Sequence, residues 1–158
     1  MLYFQKITLG FVLVCCLSAC NEPIKKVNKL RNYQIKVLPD SIVFGQNKAV
    51  VLSIKNLKAT DVINLPENDT SIEITYNLEV TNNHPINGEY VFVNLSNFRL
   101  VLDNHHKLTH AFYNSLGADP QSTTTSVGNI FNLPAKTKPV ALELFFADSV
   151  ASMKVLLQ

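Results

Sequence analysis

The stretch IEITYNLEVT, residues 72–81, decides the fold class of this chain. Apolar side chains occupy its even-numbered positions and polar ones the odd-numbered positions between them, for five unbroken cycles. Successive side chains of a β-strand point to opposite faces of a sheet, so this alternation predicts one buried face and one solvated face. The stretch therefore predicts a long strand that covers the core of a β protein.

The same period extends outward along the chain. VALELFF, residues 140–146, predicts a second strong strand, whose buried face carries Val140, Leu142, Leu144 and Phe146. Weaker alternation or short apolar runs predict further strands at residues 33–38, 49–57, 90–93, 98–102, 128–133 and 152–157.

Turn-forming residues separate these segments. They occur as Asn82-Asn83-His84-Pro85, Asn87-Gly88, Asp103-Asn104 and Gly117-Ala118-Asp119-Pro120. A helical period is missing, and only one short turn of helix is compatible with residues 109–117. The predicted fold class is all-β, an Ig-like antiparallel sandwich of about 7–8 strands over residues 33–158.

The first twenty residues have a different pattern. Lys6 is followed by the mostly apolar run Ile7–Leu17 and then by the small residues Ser18 and Ala19. About eleven apolar residues are too few to cross a bilayer core as a helix, which takes about 20. A basic start, a short apolar run and small residues at the end are typical of an export signal.

The tetrapeptide Leu17-Ser18-Ala19-Cys20 resembles the lipobox of bacterial lipoprotein precursors. That resemblance implies that residues 1–19 are a signal peptide that is removed. It also implies that the Cys20 sulfur carries a diacylglyceryl group and that the new amino group is a site for a further acyl chain. Asn21 follows Cys20, and by the sorting rule of enteric-type bacteria this implies the outer membrane.

All three cysteines lie close together, so two other roles have to be considered. A zinc site needs a second group of Cys or His ligands at suitable spacing, and no second Cys group exists. A disulfide between the neighbours Cys15 and Cys16 would be strained. The lipobox interpretation places both of them in the discarded segment.

Residues 20–32 are interpreted as the lipidated cysteine and a flexible basic tether. Four cations crowd this stretch: Lys25, Lys26, Lys29 and Arg31. They are either a solvated linker or a segment attracted to anionic headgroups at the membrane surface. The whole chain has a formal net charge of only +2, so a nucleic acid partner is not expected.

The second half of the chain resembles a known family in its order of segments. A long alternating strand ends in Val-Thr-Asn-Asn, and it is followed by residues 97–103, by Leu133-Pro134, by the strand 140–146 and by a last apolar strand. This order resembles an uncharacterised Ig-like family of secreted bacterial proteins and lipoproteins, sometimes labelled Mpr-like immunoprotective extracellular proteins. The resemblance implies an Ig-like fold and secretion or lipid anchoring, with no agreed activity.

Three histidines form the pattern H-H-x-x-x-H: His105, His106 and His110. On a helix, His106 and His110 would share a face and could grip a metal, whereas on a strand they would lie about 13 Å apart. The preceding Asp103-Asn104 favours a turn with exposed histidines. A metal-binding or small-ligand-binding periplasmic lipoprotein that uses these histidines is the alternative function.

The sequence offers no recognisable catalytic pattern. The hydroxyl-rich STTTS, residues 122–126, lies outside any Gly-x-Ser-x-Gly elbow and is interpreted as a polar loop. No spacing of carboxylates favours acid–base catalysis, and five glycines leave no phosphate-binding loop. We therefore expect no enzymatic activity and no cofactor.

Aromatic residues are the candidates for contact with a partner. Phe145 and Phe146 are neighbours on one strand, so Phe145 faces outward if Phe146 belongs to the core. Phe112 and Tyr113 lie in the predicted loop between Leu108 and Ser122 and are a second candidate contact, or an anchor of that loop. The expected function is an anchored cell-envelope module that binds a protein or another envelope component.

Overall fold

The computed structural model describes residues 30–64, 69–110, 115–146 and 149–158. Two single turns of 3-10 helix, Gln46–Lys48 and Leu95–Asn97, are the only helical elements in these ranges, and no helix there is long and apolar enough to cross a membrane. The strands are β1 Asn32–Tyr33, β2 Ile35–Leu38, β3 Ser41–Phe44, β4 Val50–Asn64, β5 Asp69–Asn82, β6 Val91–Asn94, β7 Phe98–Leu102, β8 Lys107–Thr109, β9 Ser115–Ala118, β10 Ser122–Asn132, β11 Pro139–Phe146 and β12 Ser149–Leu157.

The strands form two main sheets. Sheet A has the order β1-β4-β5-β10, and β3 also pairs with β4. Sheet B has the order β2-β12-β11-β7-β8, and β6 pairs with β9 in a small third sheet. Every pairing is antiparallel. The predicted all-β antiparallel sandwich is therefore confirmed, although short strands raise the number of strands above the predicted range.

The stretch that decided the fold class forms the inner face of β5. Tyr76 is 1% exposed, and Ile74, Leu78 and Val80 are buried on the same side. They belong to one core cluster with the inward-facing residues of sheet B, among them Phe98, Leu100, Leu102, Leu142, Leu144, Met153 and Val155. The alternation in the sequence therefore reports the packing of one sheet against the other.

The strand predicted at residues 140–146 is confirmed, but the assignment of Val140 to its buried face is wrong. The register between β11 and β7 shifts between Pro139 and Ala141, and Val140 is 41% exposed. At such a register shift one strand has an extra residue, here Val140, which breaks the alternation of side chains between the two faces. Leu142 and Leu144 remain buried, and Phe146 packs on Phe44 with ring centroids 4.4 Å apart.

The interpretation of residues 122–126 as a loop is wrong, because they form the first half of β10. Ser122 pairs with Asn82, and the register runs on to Ser126 opposite Leu78. Threonine has a high β propensity, and a strand at the edge of a sheet tolerates polar residues on both faces. A register shift follows at Gly128, whose φ of +71° favours glycine.

Residues 109–117 were expected to allow a helical turn, but residues 115–117 belong to β9. Residues 111–114 lie outside the described residues. The predicted turn at Gly117-Ala118 also begins too early, since both residues pair with β6. Gly117 lies so close to the hydroxyl group of Tyr90 that a Cβ atom would overlap it.

The folded domain begins slightly before the predicted boundary at residue 33. Asn32 pairs with Thr60 in β4. The backbone of Arg31 exchanges hydrogen bonds with Asp61: its N–H donates to Oδ2 at 3.1 Å, and its carbonyl accepts from the Asp61 N–H at 2.9 Å. Residues 31 and 32, assigned to the tether by the sequence, are therefore held by sheet A.

Candidate binding face

Two sets of predicted site residues lie outside the described residues. Cys20, the predicted lipidation site, is one of them, and Phe112 and Tyr113, the predicted contacts in the loop, are the other. Their roles stay predictions. The remaining candidates, His105, His106, His110 and Phe145, all lie in sheet B or at its edge.

His105 and His106 occupy the turn between β7 and β8, as the Asp103-Asn104 signal predicted. Both are exposed. The Asn104 side chain accepts a hydrogen bond from the backbone N–H of His106 at 3.1 Å, and His105 has a φ of +67°. Asn104 therefore shapes this turn by bonding the backbone two residues further on.

His110 is in a different environment, because its ring packs into the side of the core. Its Nε2 lies 2.5 Å from the Tyr76 hydroxyl group, and its ring centroid is 4.2 Å from that of Phe131. Burial lowers the pKa of His110 to about 4 and raises the pKa of Tyr76. His110 is thus neutral near pH 7, and Nε2 and the Tyr76 hydroxyl group share one hydrogen bond.

This hydrogen bond distinguishes His110 from His105 and His106, which are exposed. Its Nε2, one of the two nitrogens that could bind a metal, is already occupied by Tyr76. Within the described ranges, no group of three or more His, Cys, Asp or Glu residues is placed to hold a metal ion.

Phe145 lies on the outer surface of sheet B, as predicted from its neighbour Phe146. It is 36% exposed. The Arg99 guanidinium carbon lies 5.7 Å from the ring centroid and Lys107 Nζ lies 5.6 Å from it. Both distances fall within the range of cation–π attraction, so two cations hold the ring in place. Lys107 also forms a 2.7 Å salt bridge with Glu143.

The strand registers show which other side chains share this surface. Opposite residues of antiparallel strands lie on the same face of a sheet. Phe145 is opposite Val150, Glu143 opposite Arg99, Val101 opposite Lys107, Ala141 opposite Lys154, Lys154 opposite Leu38, and Leu156 opposite Lys36. We call this outer surface of sheet B the basic face.

The basic face combines positive charge with exposed apolar side chains. Its cations are Lys36, Arg99, Lys107 and Lys154, and Glu143 is the only acid among its described residues. Val150 is 56% exposed and Leu38 is 53% exposed. Phe145 and Val150 are directly opposite each other, so two exposed apolar side chains adjoin beside the cations there, as at a contact surface.

The outer surface of sheet A has a different composition. Its charged residues are Lys55, Lys58, Asp69, Glu73 and Glu79, so neither sign dominates. Threonines surround them, and Thr81 and Thr123 are hydrogen-bonded through their hydroxyl groups at 3.0 Å. The excess of cations is therefore a property of one side of the sandwich.

An open cleft of about 1100 Å³ lies where the described chain begins, between Arg31 and the loop at residues 134–138. Its acid, Asp61, is buried and accepts hydrogen bonds from the Tyr33 hydroxyl at 2.7 Å and from the Arg31 N–H. The bond to Asp61 raises the pKa of Tyr33. Asp61 therefore holds the first described residues against sheet A.

The sequence pointed to Phe145 but missed the cations around it. Arg99 lies on the outward side of a predicted strand, so its alternation with Phe98 and Leu100 carried a signal. Lys107 had no such signal, because β8 is only three residues long. Comparison with known proteins found no matching family model, and neither a curated protein nor a solved structure matched the chain significantly.

Proposed function

We propose that the chain is a non-enzymatic lipoprotein of the bacterial cell envelope, anchored in the outer membrane through Cys20. Its β domain binds a protein or another envelope component, and the basic face is the contact surface. The anchor follows from Leu17-Ser18-Ala19-Cys20 and from the short apolar run before it. Two or more acyl chains would give stable attachment, whereas one chain gives only marginal binding.

The observation that carries the proposal is the position of Phe145. A half-exposed aromatic ring lies between Arg99 and Lys107, on the side of the sandwich that has four cations and one acid. Aromatic residues and arginine are enriched among the residues that dominate binding energies. The ring is already held by its neighbours, so little side-chain entropy is lost when a partner covers it.

The roles of the buried polar groups support a function without catalysis. Among the described residues, the shifted pKa values belong to Tyr33, Tyr76 and His110, and each shift arises from burial or from a hydrogen bond that joins parts of the fold. Every buried side-chain nitrogen or oxygen of the described residues has a hydrogen-bond partner. Tyr33 lies in the open cleft, but its hydroxyl group donates to Asp61 and serves to hold Arg31 and Asn32 against sheet A rather than to meet a substrate.

The anchor is tested by labelling cells with a radioactive fatty acid. The wild type should incorporate the label and remain in the outer-membrane fraction. Cys20→Ala should lose both properties, whereas Cys16→Ala, a matched change in the segment that is removed, should keep both. Label that persists in Cys20→Ala would refute the anchor.

A further inference from the structure

We propose that the basic face docks on the anionic lipid headgroups of the leaflet to which the chain is anchored. This inference rests on the proposed function and names the envelope component that the face binds. The sandwich would then lie with sheet B toward the bilayer and with the outer surface of sheet A, which has no excess of cations among its described residues, directed away from it.

Positive charge is unevenly distributed over the domain. Residues 33–158 contain nine basic and eleven acidic side chains, so the domain as a whole has no positive excess. Of the side chains that the structure describes there, four of nine basic ones nevertheless lie on the basic face, with one of nine acids. That acid, Glu143, is paired with Lys107. Clustered cations gain energy from the negative potential of an anionic leaflet.

The exposed apolar side chains favour a bilayer over an anionic polymer. Leu38 lies opposite Lys154, and Phe145 lies opposite Val150 and beside two cations. A lipid interface offers phosphates and acyl chains within a few ångströms of each other, and binding there grows with both buried apolar area and charge. A polysaccharide would meet the cations but would leave Leu38 and Val150 exposed.

The position of the first described residues is compatible with this orientation. The chain enters sheet A at Asn32, twelve residues after Cys20. An extended segment of that length spans up to about 40 Å, whereas the two sheets of a sandwich lie about 10 Å apart. The anchor point therefore lies within reach of either side of the domain. Lys25, Lys26 and Lys29 add cations to the segment nearest the membrane.

The test measures which side of the anchored domain approaches the bilayer. The mature chain is purified in full and placed in vesicles of phosphatidylcholine, with or without phosphatidylglycerol, that contain a spin-labelled lipid quencher. A fluorophore is attached through Ser152→Cys on the basic face or through Thr125→Cys on sheet A. Both positions are exposed hydroxyl residues, and the mature chain has no cysteine besides Cys20.

We expect strong quenching at position 152 only in the vesicles that contain phosphatidylglycerol, and weak quenching at position 125 in both kinds. High salt should reverse the quenching, since it screens exposed charges. Lys36→Gln with Lys154→Gln should shift the docking equilibrium toward the undocked state by about fivefold per cation removed. The matched pair Lys55→Gln with Lys58→Gln, on sheet A, should leave docking unchanged.

Equal quenching at positions 152 and 125, or quenching that does not depend on phosphatidylglycerol, would overturn the inference. Absence of quenching at position 152 would also overturn the inference. That result would favour an acidic protein as the partner that covers the basic face. The mass of the purified chain reports separately whether Cys20 carries lipid. If it does not, the anchor fails, and the labels at 152 and 125 are read in vesicles mixed with the free chain in which Cys20→Ser leaves the introduced cysteine as the single thiol.

Discussion

The Tyr76 hydroxyl group lies 2.5 Å from Nε2 of His110, and this contact ties the chain after β8 to the centre of sheet A. Tyr76 belongs to β5, while His110 follows the edge strand of sheet B, so one hydrogen bond joins the two sheets. Phe131 of β10 lies beside both rings, with centroids 5.9 Å from Tyr76 and 4.2 Å from His110. The three rings close this side of the core.

Removal of the hydroxyl should destabilise the domain. Tyr76→Phe leaves Nε2 of His110 without its hydrogen-bond partner, and we expect the free energy of unfolding to fall by about 1–3 kcal/mol. Denaturant unfolding measures this loss. His110→Leu alone and the double variant complete the cycle, and additive losses would contradict a direct bond.

The same pair should make stability depend on pH. The pKa of His110 is about 4 in the folded domain and near 6.5 in the unfolded chain, so the unfolded state binds more protons between these values. Stability should be full above pH 6.5 and should fall as pH drops toward 4. His110→Gln should flatten this part of the profile, and an unchanged slope would contradict the prediction.

Asn82 is expected to be among the most sensitive positions. Its side chain is fully buried and donates to the carbonyls of Glu89 and Ala118, while its oxygen accepts from the His84 N–H. Asn82→Asp removes both donated hydrogen bonds and places a carboxylate oxygen against the carbonyl oxygens of Glu89 and Ala118. We therefore expect the free energy of unfolding to fall by several kcal/mol. The exposed neighbour Asn83→Asp is the matched control, with a change within about 0.5 kcal/mol.

The basic face should respond differently, because its contacts are exposed. Lys107→Ala removes the salt bridge to Glu143, yet we expect stability to change by less than about 1 kcal/mol. Binding to the anionic component should weaken at the same time. A loss of stability larger than the effect on binding would show that Lys107 serves the fold.

Zinc titration tests the alternative function. Since Tyr76 occupies Nε2 of His110, we expect calorimetry to show no binding of zinc to the folded domain, and His106→Ala to give the same trace. Stoichiometric binding that is lost in His106→Ala would restore the metal-binding hypothesis.

The sequence predicted those strands whose two faces meet different surroundings. β5 alternates because one side meets the core and the other meets water. β10 escaped detection in its first half because it lies at the edge of sheet A, where Thr123 and Thr125 meet solvent on one face. Val140 was misplaced because a register shift cannot be recognised from alternation alone.

The site was predictable only in part, for a related reason. Phe145 was recognisable from one strand, since its neighbour Phe146 points inward. The cations come from β2, β7, β8 and β12, and they share a face only because of the pairing order of sheet B. One sequence does not encode that order in any local pattern.

Site-specific photocrosslinking tests the central claim most directly, namely that the anchored domain binds through the basic face. A photoreactive phenylalanine analogue replaces Phe145 in one bacterial strain and Ile130 in another. Ile130 is an exposed residue on the outer surface of sheet A. We expect an adduct with an envelope component at position 145 that disappears in Cys20→Ala, and no such adduct at position 130. An adduct at 130 without one at 145 would contradict it.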